Sequence, residues 1–138
     1  MSGTNEAVIQ AFLDDVINKK QLERANDLVK EDFVELDPLP GQAQGREGLK
    51  AVIHSLHLAF PDMHWVANEM VTEGEKVVTR FTWTGTHQGT FLGIPATGKS
   101  VEVKGAVIDR LEDGKMADSR ILMDTFGLMQ QLGVIRAP

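Results

Sequence analysis

An Asp113-Gly114 pair set between two long apolar runs is the feature that most restricts how this chain folds. A tight primed turn needs positive φ at its centre, where Gly carries no steric cost, so residues 101–111 and 116–124 are predicted to fold back on each other as an antiparallel hairpin. Upstream, residues 77–87 are rich in Val, Thr, Phe and Trp and supply a third long strand, joined to the hairpin by a loop holding Gly89, Gly93, Pro95 and Gly98. Strands consecutive in sequence tend to lie side by side, which makes these three the centre of a sheet. Counting back from the turn, Glu112 faces Lys115, so Asp109 is expected opposite Asp118, Val107 opposite Arg120 and Val103 opposite Asp124. One face then carries Val107, Asp109, Arg120, Leu122 and Asp124, and the other Ile108, Ser119, Ile121 and Met123.

The N-terminal half reads differently. Val8, Ile9, Phe12, Leu13, Val16 and Ile17 form a two-wide stripe at spacing four, one face of an amphipathic helix, and Leu22, Ala25, Leu28 and Val29 mark a shorter second helix. Phe33, Val34 and Leu36 suffice for a short strand, after which Pro38, Pro40, Gly41 and Gly45 punctuate a loop. Leu49, Val52, Ile53, Leu56 and Phe60 give a third helix over residues 46–59, which Pro61 stops by disfavouring helical geometry at Phe60. Residues 63–72 read as a strand turned by Gly74, and Phe126, Leu128, Met129 and Leu132 as a terminal helix ending at Gly133. The order is helix, helix, short strand, helix, four strands, helix: an α+β fold, expected as one domain over residues 1–138.

Composition removes several functions. Twenty acidic against fourteen basic residues leave a net charge of −6 with no basic run, so neither nucleic acid nor an anionic membrane is an expected partner. Without cysteine there is no disulfide, thiolate nucleophile or thiolate metal site. No apolar run approaches the roughly 20 residues of a membrane span, and the first residues lack the character of a signal peptide, which makes the cytosol the default location. Glycines 89, 93 and 98 lack the spacing and following helix of a dinucleotide fingerprint, and neither a Walker loop nor a Ser/His/Asp triad is present. The expectation is a protein with no metal, flavin or nucleotide cofactor.

Residues 85–99 (GTHQGTFLGIPATGK), followed by Asp113-Gly114-Lys115 and by residues 124–133 (DTFGLMQQLG), resemble the SnoaL-like polyketide cyclase family. Supporting matches occur at residues 37–41 (DPLPG), 45–49 (GREGL) and 60–62 (FPD). The resemblance implies a nuclear-transport-factor-2-like (cystatin-like) fold: a strongly curved, mainly antiparallel sheet wrapped over three helices, cone-shaped, with an apolar-walled internal pocket and frequent dimerisation through the sheet. It also implies a chemistry, ring closure by intramolecular aldol reaction with an aspartate as acid/base and no cofactor. Relatives often carry a His-Trp pair on the last strand and an aromatic residue before the aspartate, where this chain has Ser119, Arg120 and Met123.

Asp124 matches the family aspartate and is the candidate catalytic carboxylate; in an apolar pocket its charged form would be disfavoured and its pKa raised. It is also suited to cap the terminal helix, and the two roles can coexist. Arg120 and Arg80 are candidate substrate-binding groups or else ion-pair partners within the sheet. His57 is placed at the pocket edge, three residues from His54 on one helix face, a spacing that by itself makes no metal site. His87 is expected at the pocket rim, and Trp83 nearest the ligand among aromatics that otherwise build core. Two functions stand open: an enzyme that moves a proton at carbon next to a carbonyl, giving cyclisation or isomerisation, and a non-catalytic dimeric protein that binds a small apolar ligand. Because the helices cover one face of the sheet only, a homodimer is expected through the other, with Ile108, Ile121 and Met123 as contacts.

Overall fold

The computed structural model describes residues 2–136. Helix α1 (Ser2–Ala11) runs on into a wider π-helical turn (Phe12–Asn18). Ile9, Phe12, Leu13, Val16 and Ile17 along them are all buried, so the predicted stripe is the helix's inward face. Asn18 ends the turn by pairing with the next layer: its amide donates to the Trp65 carbonyl at 2.9 Å and its carbonyl accepts from the Trp65 N–H at 2.7 Å. The second stripe is shorter than a full helix. It forms a single 3₁₀ turn (Leu22–Arg24) and one turn of α2 (Ala25–Leu28), and Val29 already begins strand β1 (Val29–Glu35).

Helix α3 (Gly45–Ala59) stops before Phe60 and Pro61 as expected. Strands β2 (His64–Glu73), β3 (Lys76–Thr86), β4 (Ser100–Glu112) and β5 (Lys115–Met123) follow, and α4 (Thr125–Gln131) closes the chain. The five strands form one sheet in the order β1-β5-β4-β3-β2, antiparallel except that β1 runs parallel to β5 at the edge. The predicted turn is present, with positive φ at Asp113 (53°) and Gly114 (77°). Helices α1 and α3 pack on one face of this curved, unclosed sheet, and the core between the layers draws on every strand.

One register expectation fails, and its failure shapes the site. Leu111 pairs with Met116, but Arg110 pairs with Asp118, so β5 carries one extra residue, Ala117, at a β-bulge. The bulge lets the strand bury both Met116 and Ala117, two adjacent apolar residues that strict alternation would send to opposite faces. From there on every β5 side chain changes side relative to the simple count. Asp109 lies opposite Ser119, Val107 opposite Ile121 and Gly105 opposite Met123. Ser119, Ile121 and Met123 therefore face inward with Val107 and Asp109, while Arg120 and Leu122 turn outward.

Gly105 marks the tightest approach in this part of the sheet. A Cβ there would lie 2.5 Å from the Leu122 carbonyl oxygen and 2.6 Å from Cζ of Phe81, so the Phe81 ring occupies the place of a side chain.

Candidate active site

Between the helices and the concave face lies a cavity of about 120 Å³. Its walls are apolar almost throughout. Ile9, Phe12, Leu13 and Ile17 come from the first helix, Leu49, Val52, Ile53 and Leu56 from α3, and Trp65, Phe81, Val107, Met116, Ile121 and Met123 from the sheet. Trp65 stacks on Phe81 with ring centroids 4.4 Å apart, which fixes one wall.

Polar groups enter this lining in one cluster. Glu35 on β1, Ser119 on β5 and Asp109 on β4 occupy a single row, since Glu35 is the register partner of Ser119 and Ser119 that of Asp109. Thr79 on β3 is a diagonal neighbour of Asp109, whose direct partner is Val77. Asp37 and Gln42 stand in the loop after β1 and complete the polar lining.

Asp109 is 2% exposed, and its Oδ1 has no hydrogen-bond partner; Thr79 Oγ1 and the Trp65 indole nitrogen are likewise buried without partners. A buried polar atom without a partner is costly, so three such atoms around one cavity are free to meet a ligand's oxygen or hydroxyl. Burial pushes the Asp109 carboxyl up to about 7; the neighbouring Ser119 hydroxyl works against that shift, and the charges of Glu35 and Asp118 add to it. Glu35 is also raised, first by burial, but backbone N–H groups oppose the rise, among them that of Asp37, which donates to Glu35 Oε2 at 3.0 Å. A carboxyl that titrates near neutrality inside an apolar chamber can both take and return a proton.

The residues expected at the site from sequence lie elsewhere. Asp124 is exposed and caps α4, its Oδ1 accepting from the Gly127 N–H at 2.8 Å, so the expected cap is formed. Gly127 belongs to that cap, because a Cβ on it would stand 2.2 Å from Asp124 Oδ2. Arg120, sent outward by the bulge, lies 3.8 Å from Asp37 Oδ1, and Arg80 pairs on the outer face with Glu69 at 3.2 Å. Trp83 is buried behind the cavity wall, edge-on to Phe60 with centroids 5.0 Å apart.

Both buried histidines are joints of the scaffold. His57 bonds through Nε2 to the Ile17 carbonyl at 2.8 Å, tying α3 to the first helix, and burial lowers its pKa. His54 is exposed on another side of α3, so the two imidazoles do not converge. His87 accepts at Nδ1 from the Thr97 backbone N–H (3.2 Å) and contacts Thr97 Oγ1 (3.0 Å), which anchors the glycine-rich loop against Phe60.

Asp109 and Glu35 escaped the sequence reading, although a signal for Asp109 was there. In β4 it takes an inward position in the alternation Val101, Val103, Val107, Asp109, Leu111, the single charge in that series.

The family model for SnoaL-like polyketide cyclases matches residues 7–132. The chain belongs to the SnoaL-like polyketide cyclase family. Among its SnoaL-like relatives is aklanonic acid methyl ester cyclase DnrD of Streptomyces peucetius, 31% identical over 110 residues that make up 74% of this chain and 76% of the relative. Aklanonic acid methyl ester cyclase DauD of Streptomyces sp. (strain C5) is 30% identical over 93 residues, 67% of this chain and 58% of the relative. Among solved structures, TsrD from Streptomyces laurentii superposes with a TM-score of 0.90 at 29% identity, covering 98% of both chains. The curved sheet over helices expected from the SnoaL-like motifs is thus the fold observed.

Proposed function

We propose that this protein is a cofactor-free cyclase acting on a small polyketide-like ester, with Asp109 as the acid/base that moves a proton at carbon next to a carbonyl. The observation that carries this reading is the buried Asp109 carboxyl, one oxygen unpartnered, at the polar pole of an otherwise apolar chamber. The cyclase relatives support the reaction class. In the ionised form Asp109 takes the proton from the acidic carbon. The enolate oxygen is met by the Thr79 hydroxyl and the Trp65 N–H, the enolate carbon attacks a second carbonyl of the same molecule, and the resulting alkoxide recovers the proton.

The lining also restricts the ligand. Among the described residues, the ionisable groups of the lining are Glu35, Asp37 and Asp109, all acidic, so a free carboxylate would be repelled where an ester is accepted. A cavity near 120 Å³ suits one ring, an apolar cavity of about 150 Å³ being enough for benzene. Beside it is a groove of about 400 Å³ formed by the loop around Leu39 to Ala43, α3 and the Thr90 to Leu92 stretch; it shares Leu39, Gln42, Val52 and Leu56 with the cavity and offers room for the rest of a larger substrate.

Homodimerisation through the outer face of the sheet completes the reading. Val71, Val78, Ile108 and Leu122 are exposed there at 58%, 37%, 41% and 73%. Of the three contacts expected from sequence, Ile108 remains, whereas Ile121 and Met123 line the cavity.

The test of activity is turnover of polyketide methyl esters bearing a 1,3-dicarbonyl unit, followed by ring closure and by solvent deuterium incorporation at the acidic carbon. Asp109→Asn should lower the rate roughly 100-fold or more while ligand binding persists. Binding without turnover in the unaltered protein would favour the non-catalytic pocket reading instead.

A further inference from the structure

Three strands bring two carboxyl groups and one hydroxyl into line on the concave face, and the chemistry assigned to Asp109 leaves two of these groups unused. Glu35 is 8% exposed and Ser119 4%, so both are largely withdrawn from water, Glu35 less completely than Asp109. Each is the register partner of the next across β1, β5 and β4, and all three line the cavity. Among the described residues, no cationic side chain lines the cavity with them. The first helix and α3 contribute only aliphatic and aromatic side chains to the lining, and β3 contributes Thr79 and Phe81. The remaining carboxylates nearby are Asp37, in the loop after β1 and paired with the exposed Arg120, and Asp118, paired with Arg110 at 2.7 Å.

We propose that Glu35 is the second acid–base group of this cavity and that it holds one proton in common with Asp109 through the Ser119 hydroxyl. The inference rests on the reading of Asp109 as the acid/base. Two carboxyls in one low-dielectric row resist ionising together, and a serine hydroxyl between them can accept from one while donating to the other. The backbone N–H of Asp37 on Glu35 Oε2 favours the charge on Glu35, which leaves the shared proton on Asp109 at rest; its passage through Ser119 to Glu35 gives the ionised Asp109 that takes the proton from carbon. Across a ring closure the pair goes from one proton to two when the C–H bond breaks. It returns to one when the alkoxide oxygen of the new carbon–carbon bond is protonated, so protons balance without solvent entering the chamber.

The test needs no substrate. The side-chain carboxyls of Asp and Glu are labelled with ¹³C, and their shifts are followed by NMR from pH 4 to 9 in the full chain and in Glu35→Gln, Asp109→Asn and Ser119→Ala. In the unaltered protein the two sites should titrate as a coupled pair, each shift responding in both steps. Glu35→Gln should lower the Asp109 midpoint by about half a pH unit or more, and Asp109→Asn should lower that of Glu35. Ser119→Ala, the least disruptive variant, should raise the Asp109 midpoint and weaken the cross-response. An Asp109 midpoint unmoved by Glu35→Gln, or by Ser119→Ala if the glutamine variant does not fold, overturns the proposal. Loss of turnover in Asp109→Asn tests the function separately and can succeed even where the coupled titration fails.

Discussion

Replacing Asp109 with Asn should stabilise this protein, and increasingly so as the pH rises. In the folded chain the carboxyl titrates at about 7, against an ordinary value of 3.8, so between those two values the folded state holds a proton that the unfolded state has released. Stability contributed by this group is therefore complete below the unfolded pKa and is lost as pH rises through the folded one. The window spans just over three pH units at about 1.4 kcal/mol each, so the charged carboxylate costs about 4 kcal/mol above pH 8. That is a large part of the 5–15 kcal/mol typical of a whole domain. Asn keeps the shape of the side chain and removes the ionisation, and it also relieves Glu35 of a charged neighbour. Urea unfolding of both proteins at intervals from pH 4.5 to 8.5 measures the effect as a difference, in which titrations common to both cancel. The variant should gain about 3–4 kcal/mol relative to the unaltered protein across that range and level off at its upper end. A difference constant to within about 1 kcal/mol would refute both the burial argument and the acid/base role built on it.

Asp124→Ala should cost about 1 kcal/mol in chemical denaturation by removing the α4 cap, and turnover should persist once a substrate is in hand; collapse of turnover at unchanged stability would return the catalytic role to Asp124. Gly105→Ala should destabilise by about 1–3 kcal/mol, because a methyl group there meets both the Phe81 ring and the Leu122 carbonyl, and thermal unfolding measures it. Leu122→Glu on the outer face, 73% exposed, should convert a dimer to monomers in light scattering at micromolar concentration with little change in fold, since a stable interface needs more than about 1,000 Å² and tolerates no unpaired charge at its centre. A protein already monomeric before substitution would refute the sheet-mediated assembly.

Local chemistry alone determined much of this architecture. The Asp113-Gly114 turn, the helical stripe from Ile9 to Ile17, the stop at Phe60-Pro61 and the cap before α4 each depend on backbone conformations and side-chain spacings contained within a few neighbouring residues. The family motifs were legible for the same reason: they are turns, caps and close approaches, such as Gly127 beneath Asp124, and they record a fold more than a reaction. The site was not legible, because its position depends on one residue of register. Ala117 has no local signature of a bulge; it is accommodated because burying Met116 and Ala117 together outweighs a regular ladder, a balance set by the packing of the whole sheet. That single residue turns Ser119 toward Asp109, sends Arg120 into solvent and moves Ile121 and Met123 from an expected interface into the cavity wall. Glu35 joins them only because β1, more than eighty residues earlier in the chain, pairs in parallel with β5. Pairings between distant segments are fixed by the core they jointly bury, and that is why tertiary structure alone decided which carboxylates meet.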